Sequence, residues 1–266
     1  MRARRHAALA RLAARLRGEP DDVGLILPYE EVIAALGFVS ERTLGRQVVP
    51  LETIVGTIDR ARDFDRRFRP TSQRVRSRWE QIAAAMRRGD EIPPVDLVRV
   101  GEIHFVRDGH HRVSVARALG WVDIEADVTE VITKVRADRA LTHKDLPYKS
   151  SERVFFERVP LAPDARKEIV LTDSSDYEVL AEAVEAWGFR AIQDRGEPLD
   201  RAGTAQLWLE TEYRPVVEML READLISGCT ATEAYMRIAA ERYRLLRTHE
   251  WSEEVIGRLI EGRRRR

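Results

Sequence analysis

The chain has 266 residues, and its 45 basic and 45 acidic side chains give a formal net charge of zero. This balance excludes a general electrostatic attraction to nucleic acid. The single cysteine, Cys229, excludes an internal disulfide and a thiolate metal cluster. No apolar run approaches the roughly 20 residues that cross a bilayer. The composition therefore predicts a cytoplasmic protein without a membrane partner, and the length predicts two compact units.

The first segment, residues 1–46, is predicted to be a helical N-terminal extension. Apolar residues recur at helical spacing over about residues 3–17, which indicates one amphipathic helix. A second short helix is predicted over Pro28–Leu36. Proline at its start and Gly37 just past its end are the favoured placements of these two residue types.

Residues 47–132 are predicted to form a small mixed sheet with helices. Apolar residues at steps of four, three and four define the face of one helix, and regular alternation defines the last strand. In chain order the predicted elements are a short strand and turn over Val48–Val55, a helix over Ser72–Arg88, a hairpin over Val95–Arg107 with its link at Gly101-Glu102, a helix opening at Gly109, and a strand over Val122–Val128.

The last two segments are a predicted linker over residues 133–170 and a predicted helical domain over residues 171–266. The linker is charged and aperiodic and contains three prolines. In the helical domain two capping-box spacings open apolar periodic stretches, and Pro215 is expected to kink or split the longest helix. The predicted fold class is therefore α+β, a small mixed sheet with helices followed by an all-helical C-terminal region.

The most informative segment is Asp108-Gly109-His110-His111-Arg112, which follows a predicted strand and opens a predicted helix. Glycine lets the backbone turn sharply and approach a ligand. The first amides of a helix have no intrahelical partner, and the helix dipole adds positive charge there, so anions bind such ends. The two histidines and an exposed Arg112 would add donors, with the arginine gripping two phosphate oxygens. The segment is thus predicted to bind phosphate.

Each of these residues also has a purely structural interpretation. Asp108 is a suitable N-cap, because its carboxylate can accept bonds from the amides that follow. The histidines can be packed or solvated without a ligand, and Arg112 can pair with the acids of the 123–127 strand. Adjacent histidines on a helix diverge by about 100°, which argues against a shared metal ion.

Residues 48–131 resemble the ParB/sulfiredoxin superfamily in the order and spacing of their predicted elements around Gly109-His110-His111-Arg112. The resemblance implies a nucleotide at this turn: in ParB-like proteins the matching turn binds the triphosphate of CTP, and in sulfiredoxins it holds ATP phosphates. In the free-serine kinases of the superfamily the matching stretch reads Asp-Gly-His-His-Arg, as it does here. The resemblance covers about a third of the chain.

Three departures from the superfamily pattern limit what the resemblance implies. His110 and His111 occupy the region where sulfiredoxin has its cysteine, which excludes sulfinic-acid reduction. No helix-turn-helix module is evident after Val131, unlike in ParB. The loop Gly56–Arg60 replaces the usual first ParB box, and Arg69 is the nearest candidate for the arginine of that box.

The loop over residues 59–69 combines carboxylates, guanidiniums and aromatic rings. One interpretation is a loop that closes over the nucleotide, with Arg69 on phosphate and Asp63 or Asp65 holding a divalent ion. The other is a salt-bridged surface loop anchored by Phe64 and Phe68. The residues assigned to phosphate binding are Gly109, His110, His111, Arg112, Ser114 and Arg69, with Asp108 catalytic only if the protein is a kinase and with no metal ligand assigned.

Three functions are compatible with this sequence. The first is a nucleotide-dependent switch that uses CTP or ATP/ADP, with Mg²⁺ as a companion ion and a homodimer as the state it changes. The second is a small-metabolite kinase, in which Asp108 orients the acceptor hydroxyl. The third is an interaction module that contacts DNA through its basic termini, and the neutral net charge disfavours it.

Overall fold

The computed structural model describes residues 26–61, 63–71 and 76–246, together with residues 251, 255 and 257. The helix predicted over residues 3–17 and the two basic termini lie outside these residues. The chain divides into two compact units, Met1–Arg153 and Val154–Arg266. The described helices include none long and apolar enough to traverse a bilayer.

The first unit is organised around a six-stranded mixed sheet. Its strands are β1 (Leu27–Pro28), β2 (Phe38–Pro50), β3 (Ile54–Thr57), β4 (Val95–Val100), β5 (Ile103–Asp108) and β6 (Asp123–Thr133). Their order across the sheet is β1-β3-β5-β4-β6-β2. The β1–β3, β3–β5 and β4–β6 pairs are parallel, whereas β4–β5 and β2–β6 are antiparallel. With the helical region that follows, this sheet confirms the α+β class.

Three helices complete the part of this unit that concerns the site: α1 (Tyr29–Leu36), α2 (Arg76–Arg88) and α3 (His110–Ala118). Pro28 precedes α1, and Gly37 ends it with φ 76°. The hairpin β4–β5 turns at Gly101 with φ 58°. Both helix ends and the hairpin agree with the sequence prediction, because proline and glycine set local backbone geometry with little dependence on distant contacts.

The strand β2 is much longer than the sequence predicted. The expected strand and turn over Val48–Val55 are in fact the end of β2, a 3₁₀ turn and β3. Nearly all of β2 before Val49 is exposed or half-buried, so it carries no apolar alternation. Its conformation is fixed by pairing with β6, from Phe38 opposite Thr133 to Pro50 opposite Asp123.

The core of the first unit lies between one face of the sheet and the helices α2 and α3. In β6, Ile124, Ala126 and Val128 point into this core as their alternation predicts, whereas Val122 precedes the strand and is 79% exposed. The buried apolar residues of this cluster are Ile26, Val49, Leu51, Ile54, Phe64, Phe68, Ala83, Met86, Val95, Leu97, Val106, Val113, Val115, Ala116, Ile124, Ala126 and Val128.

Residues 133–170, predicted as a linker, contain a regular helix, α4 (Leu146–Arg158). The boundary between the two compact units falls inside this helix. Phe155 and Phe156 are buried, although the charged residues around them hide any helical period in the sequence. Burial of two adjacent aromatic side chains therefore orders a segment that the local pattern assigns to a loop.

The second unit is helical, as predicted. After α4 its helices are α5 (Asp176–Arg195), α6 (Arg201–Trp208), α7 (Arg214–Glu222) and α8 (Ala231–Leu246). A π-helical turn over Leu209–Tyr213 joins α6 to α7, with Pro215 in the first turn of α7. The proline thus splits the helix as expected, because it has no N–H for an intrahelical bond.

The two predicted capping boxes have different outcomes. Glu233 donates its amide to Thr230 Oγ1 (3.1 Å), and the Thr230 amide donates to the Glu233 carboxylate (2.9 Å), which confirms the box at α8. The box predicted from Ser175 is wrong, since Ser175 donates its hydroxyl and amide to Asp173 and does not cap α5.

Candidate functional site

The predicted phosphate-binding turn lies where two neighbouring parallel strands end. Thr57 ends β3 and Asp108 ends β5, so the segments that follow them leave the same edge of the sheet. A hydrogen bond of 2.6 Å between Thr57 Oγ1 and His110 Nε2 joins the two segments. Ligands of α/β proteins commonly bind outside the carboxyl ends of such strands.

Gly109 makes the sharp connection from β5 to α3. It has φ 96° and ψ 20°, the left-handed conformation that side chains with a Cβ disfavour. A Cβ added here would lie 2.6 Å from Val95 Cγ1. Gly109 is also the N-cap of α3, and no side chain caps the helix. The amides of the first turn are therefore left without a capping acceptor, as an anion site requires.

The two histidines are buried at the start of α3. His110 stacks on the Phe64 ring with 5.9 Å between ring centroids. Burial first, and then the Arg60 charge, lower the pKa of His110 to about 4. Burial first, and then the Arg78 and Arg60 charges, also lower the pKa of His111. Both imidazoles are therefore neutral near pH 7 and add no cationic charge to the site.

His111 also has an unsatisfied polar atom. Its side chain is 9% exposed, and its Nδ1 is buried without a hydrogen-bond partner in the described part of the chain. Buried polar atoms in folded proteins are nearly always hydrogen-bonded, so such an atom at the start of a helix needs an explanation. A ligand or an ordered water molecule in this site would supply one.

Arg60 and Arg78 are two cations that the sequence reasoning did not assign to the site. Arg60 follows β3 by three residues, and Arg78 lies in the first turn of α2. Both side chains are exposed, and neither has a hydrogen bond or an ion pair with the residues that the structure describes. Their charges outrank those of Asp108, Asp59 and Asp63 in their effect on the pKa of the adjacent histidine. The two arginines thus have larger electrostatic effects on the histidines than the nearby acids have.

Arg112 does not have the exposed position that the sequence predicted. Its side chain is 16% exposed. Nη1 donates to the carbonyl oxygens of Pro93 and Pro94, each at 2.7 Å, and Nη2 donates to Asp108 Oδ2 at 2.6 Å. The guanidinium therefore links α3 to the segment before β4, and its role in phosphate binding stays a prediction. It pairs with Asp108 and not with the acids of β6.

Asp108 is the partner of Arg112 and not a helix cap. The side chain is 77% exposed, so the carboxylate stands at the surface beside the start of α3. The cap position belongs to Gly109, which is why the capping interpretation of Asp108 is not the one observed. An exposed carboxylate at this place is still available to a bound molecule.

Arg69 and Ser114 are engaged in local contacts. Arg69 Nε donates to Asp65 Oδ2 at 2.7 Å, within a turn in which Asp65 Oδ1 also accepts the Arg69 amide. Ser114 is 4% exposed, and its hydroxyl accepts a bond of 2.9 Å from Trp79 Nε1. Neither contact tests phosphate binding, which stays a prediction for both residues.

The loop that carries Arg69 has the second of its two predicted arrangements, a salt-bridged loop anchored by aromatic rings. Phe64 is 2% exposed and Phe68 is fully buried. Among the described residues no three His, Cys, Asp or Glu side chains are grouped so that they could hold a metal ion.

Comparison with known proteins gives structural similarities only. No family model and no curated protein matches the chain. The chain is similar to sulfiredoxin from Arabidopsis thaliana, with a TM-score of 0.26 and 18% identity over 33% of this chain and 86% of that one. It is also similar to the C-terminally truncated chromosome-partitioning protein ParB from Caulobacter crescentus in complex with CTP-gamma-S, with a TM-score of 0.25 and 17% identity over 74% and 92%.

A pNOB8-like ParB N-domain gives a similar result, with a TM-score of 0.23 and 11% identity over 77% of each chain. These TM-scores are low.

Proposed function

We propose that this protein binds the phosphate groups of a nucleotide, CTP or ATP/ADP, at the start of α3. The observation that carries the proposal is the pair of exposed, unpaired guanidiniums of Arg60 and Arg78 beside an uncapped helix N-terminus. Amide donors and the helix dipole favour an anion here, and guanidiniums bind phosphate oxygens through short charge-assisted bonds.

The two neutral histidines can also form hydrogen bonds with a bound phosphate. A buried neutral imidazole can donate one hydrogen bond and accept another without adding charge. The hydrogen bond between Thr57 and His110 fixes one edge of the His110 ring, and the Nδ1 of His111 is left without a partner among the described residues. A phosphoryl or ribosyl oxygen presents the polar atoms that such a site lacks.

The role proposed for the bound nucleotide is that of a switch. The nucleotide would stabilise one arrangement, over α3, of the β3–α2 loop, the chain between the end of β3 at Thr57 and the start of α2 at Arg76. That arrangement would in turn favour one state of a homodimer. Ligand binding changes the populations of two states only by its differential affinity for them. The switch therefore requires that the nucleotide bind one oligomeric or conformational state more tightly than the other.

Isothermal titration calorimetry of CTP, ATP and ADP, each with and without Mg²⁺, tests nucleotide binding. Saturable binding of at least one nucleotide by the wild type, and weaker binding by Arg60→Gln and Arg78→Gln, is expected. Arg88→Gln is the matched control, because Arg88 lies on the same helix as Arg78 but pairs with Asp90. Absence of binding by the wild type under every condition contradicts the proposal.

Kinase activity is the second candidate, and the exposed Asp108 carboxylate beside the site favours it. A carboxylate at that place can accept the proton of an acceptor hydroxyl during phosphoryl transfer. If it does, Asp108→Asn lowers acceptor-dependent nucleotide consumption by orders of magnitude while binding survives. Consumption in neither protein, with a nucleotide-dependent change of size in light scattering, supports the switch.

A further inference from the structure

A second half-buried arginine, Arg117, lies near the end of α3, two helical turns after the start of the site. Its Nη2 donates to the carbonyl oxygens of Leu51 and Ile54, and the Ile54 bond is 2.7 Å long. Its Nη1 donates to the carbonyl oxygen of Arg66 at 3.1 Å. The guanidinium carbon also lies 5.2 Å from the centre of the Phe68 ring.

No carboxylate in the described part of the chain bonds to this half-buried guanidinium. Burial lowers the pKa of Arg117, and the charge of Asp65 offsets this only in part. A buried charge is costly unless its donors are satisfied, and here backbone oxygens of two separate segments satisfy them. The arginine thus fastens the turn before β3 and the loop after β3 to the same helix.

The segment between these contacts carries Arg60. Its near end is held by Thr57 at His110, in the first turn of α3. Its far end is held by Arg117, seven residues and about 10.5 Å further along the helix axis. The segment is therefore attached to α3 at two separated points, and the Arg60 side chain belongs to the part between them.

We infer that Arg117 is a positioning residue that holds the β3–α2 loop on α3, so that Arg60 faces the uncapped start of the helix. The inference rests on the proposed phosphate site and adds a residue that acts on it from a distance. Lysine would not reproduce these bonds, because it has one nitrogen in place of two: Nη1 bonds the Arg66 oxygen, and Nη2 bonds the Leu51 and Ile54 oxygens.

The variant Arg117→Met tests the inference, because methionine keeps an unbranched apolar side chain and removes the donors. Arg139→Met is the matched control, since Arg139 forms an exposed ion pair with Glu52 in the same unit. The first measurement is hydrogen exchange of the Asp65 and Phe68 amides, whose acceptors lie within the loop. We expect exchange at least about tenfold faster in Arg117→Met than in the control.

The second measurement is affinity for inorganic tripolyphosphate, in a double-mutant cycle with Arg60→Gln. We expect Arg117→Met to lower the affinity about tenfold in the wild-type background and to have almost no further effect when Arg60 is already absent. A purely structural role would give equal losses in both backgrounds. Additive losses, or unchanged loop exchange, would overturn the inference.

The two measurements also separate this inference from the proposed function. If the wild type binds neither tripolyphosphate nor any of the three nucleotides, the proposed function fails, and faster loop exchange in Arg117→Met still shows that Arg117 holds the loop. If the wild type binds and Arg117→Met behaves as the control does in exchange and affinity, the proposed function stands and Arg117 has no positioning role.

Discussion

The first amides of α3 and of α8 have no intrahelical acceptor, and the two helices differ in what lies near those amides. At α8, Thr230 and Glu233 cap the first amides through a reciprocal pair of hydrogen bonds. At α3, the N-cap is Gly109, no side chain accepts from the first turn, and the nearby arginines have no acid partner among the described residues. The box leaves fewer free amides at the start of α8, whereas the first amides of α3 have no side-chain acceptor and lie near two unpaired arginines.

Replacing Gly109 with alanine should have the largest effect on this difference. A Cβ at φ 96° is strained, and it would lie 2.6 Å from Val95 Cγ1, so we expect a loss of about 3 kcal/mol in unfolding free energy together with the loss of nucleotide binding. Gly120→Ala is the control, since Gly120 has φ 77° but no heavy atom within 4 Å of where a Cβ would lie. Its cost should be about 1 kcal/mol, measured by urea unfolding. Equal costs would contradict a tight turn at Gly109.

Acid should weaken the α3 region before the α8 region. The pKa of His110 is about 4 in the folded protein against 6.5 for the free side chain, so the unfolded chain binds the extra proton between these values. Stability is therefore complete above pH 6.5 and falls by up to about 1.4 kcal/mol per pH unit toward pH 4.

At α8 stability is also lost as pH falls, but over a lower pH range. The Thr172 hydroxyl and then the Thr230 amide hold the pKa of Glu233 below 4.5, so its contribution is lost only as pH falls below that value. Protection factors of the backbone amides, followed from pH 7 to 4, should therefore fall first in α3. Simultaneous loss at both helices would contradict the buried neutral state of His110.

Replacing Arg112 should lower the stability of the fold, whereas replacing an exposed arginine would have little effect. Arg112→Met removes three hydrogen bonds that hold α3 to Pro93, Pro94 and Asp108. We expect about 2 kcal/mol lower unfolding free energy. Arg107→Met is the control, because Arg107 only pairs with Asp96 at 3.5 Å on the surface. An unchanged melting temperature would mean that these bonds contribute nothing.

The variants Arg60→Gln and Arg78→Gln should lose nucleotide affinity and keep their stability, unlike Arg112→Met. Each should weaken nucleotide binding about tenfold, or about 1.4 kcal/mol, and leave the melting temperature within a degree or two, because neither side chain bonds to the described residues. Calorimetry and thermal unfolding of the same samples check both halves of the prediction. Loss of stability without loss of affinity would show that the two arginines stabilise the fold and do not bind the nucleotide.

Thr230→Ala should have the smallest effect and should be confined to α8. Removing a threonine cap costs about 1 kcal/mol, and nucleotide affinity should not change. Asp200→Ala is a parallel test, since Asp200 caps α6 by accepting a bond of 2.7 Å from the Gly203 amide. A change in nucleotide affinity in either variant would show that the helical unit takes part in binding.

The sequence predicts those features of the fold that local chemistry determines. Gly37, Gly101 and Gly109 each occupy the positive-φ position that their context requires. The apolar period of β6 and the two ends of α1 are equally local signals. Strand β2 was mostly missed because pairing with β6, and not its own pattern, makes it extended. Helix α4 was missed because its buried side chains are few.

The site was predicted in position but less well in its individual residues. Arg112 was expected to be free because nothing in the chain near it reveals that the Pro93 and Pro94 carbonyls lie within its reach. Arg60 and Arg78 were missed because a single arginine in an arginine-rich segment carries no signal. These two arginines differ from the others in the segment only because the fold brings β3, α2 and the start of α3 together.

Two-dimensional NMR of the amides during titration with inorganic tripolyphosphate tests the contrast between the two helix starts most directly. The predicted result is saturable shifts at the amides of His110, His111 and Arg112, and none at the amides of Ala231, Thr232 and Glu233. No shift at α3, or equal shifts at both helices, would contradict the assignment of the uncapped α3 start as an anion site.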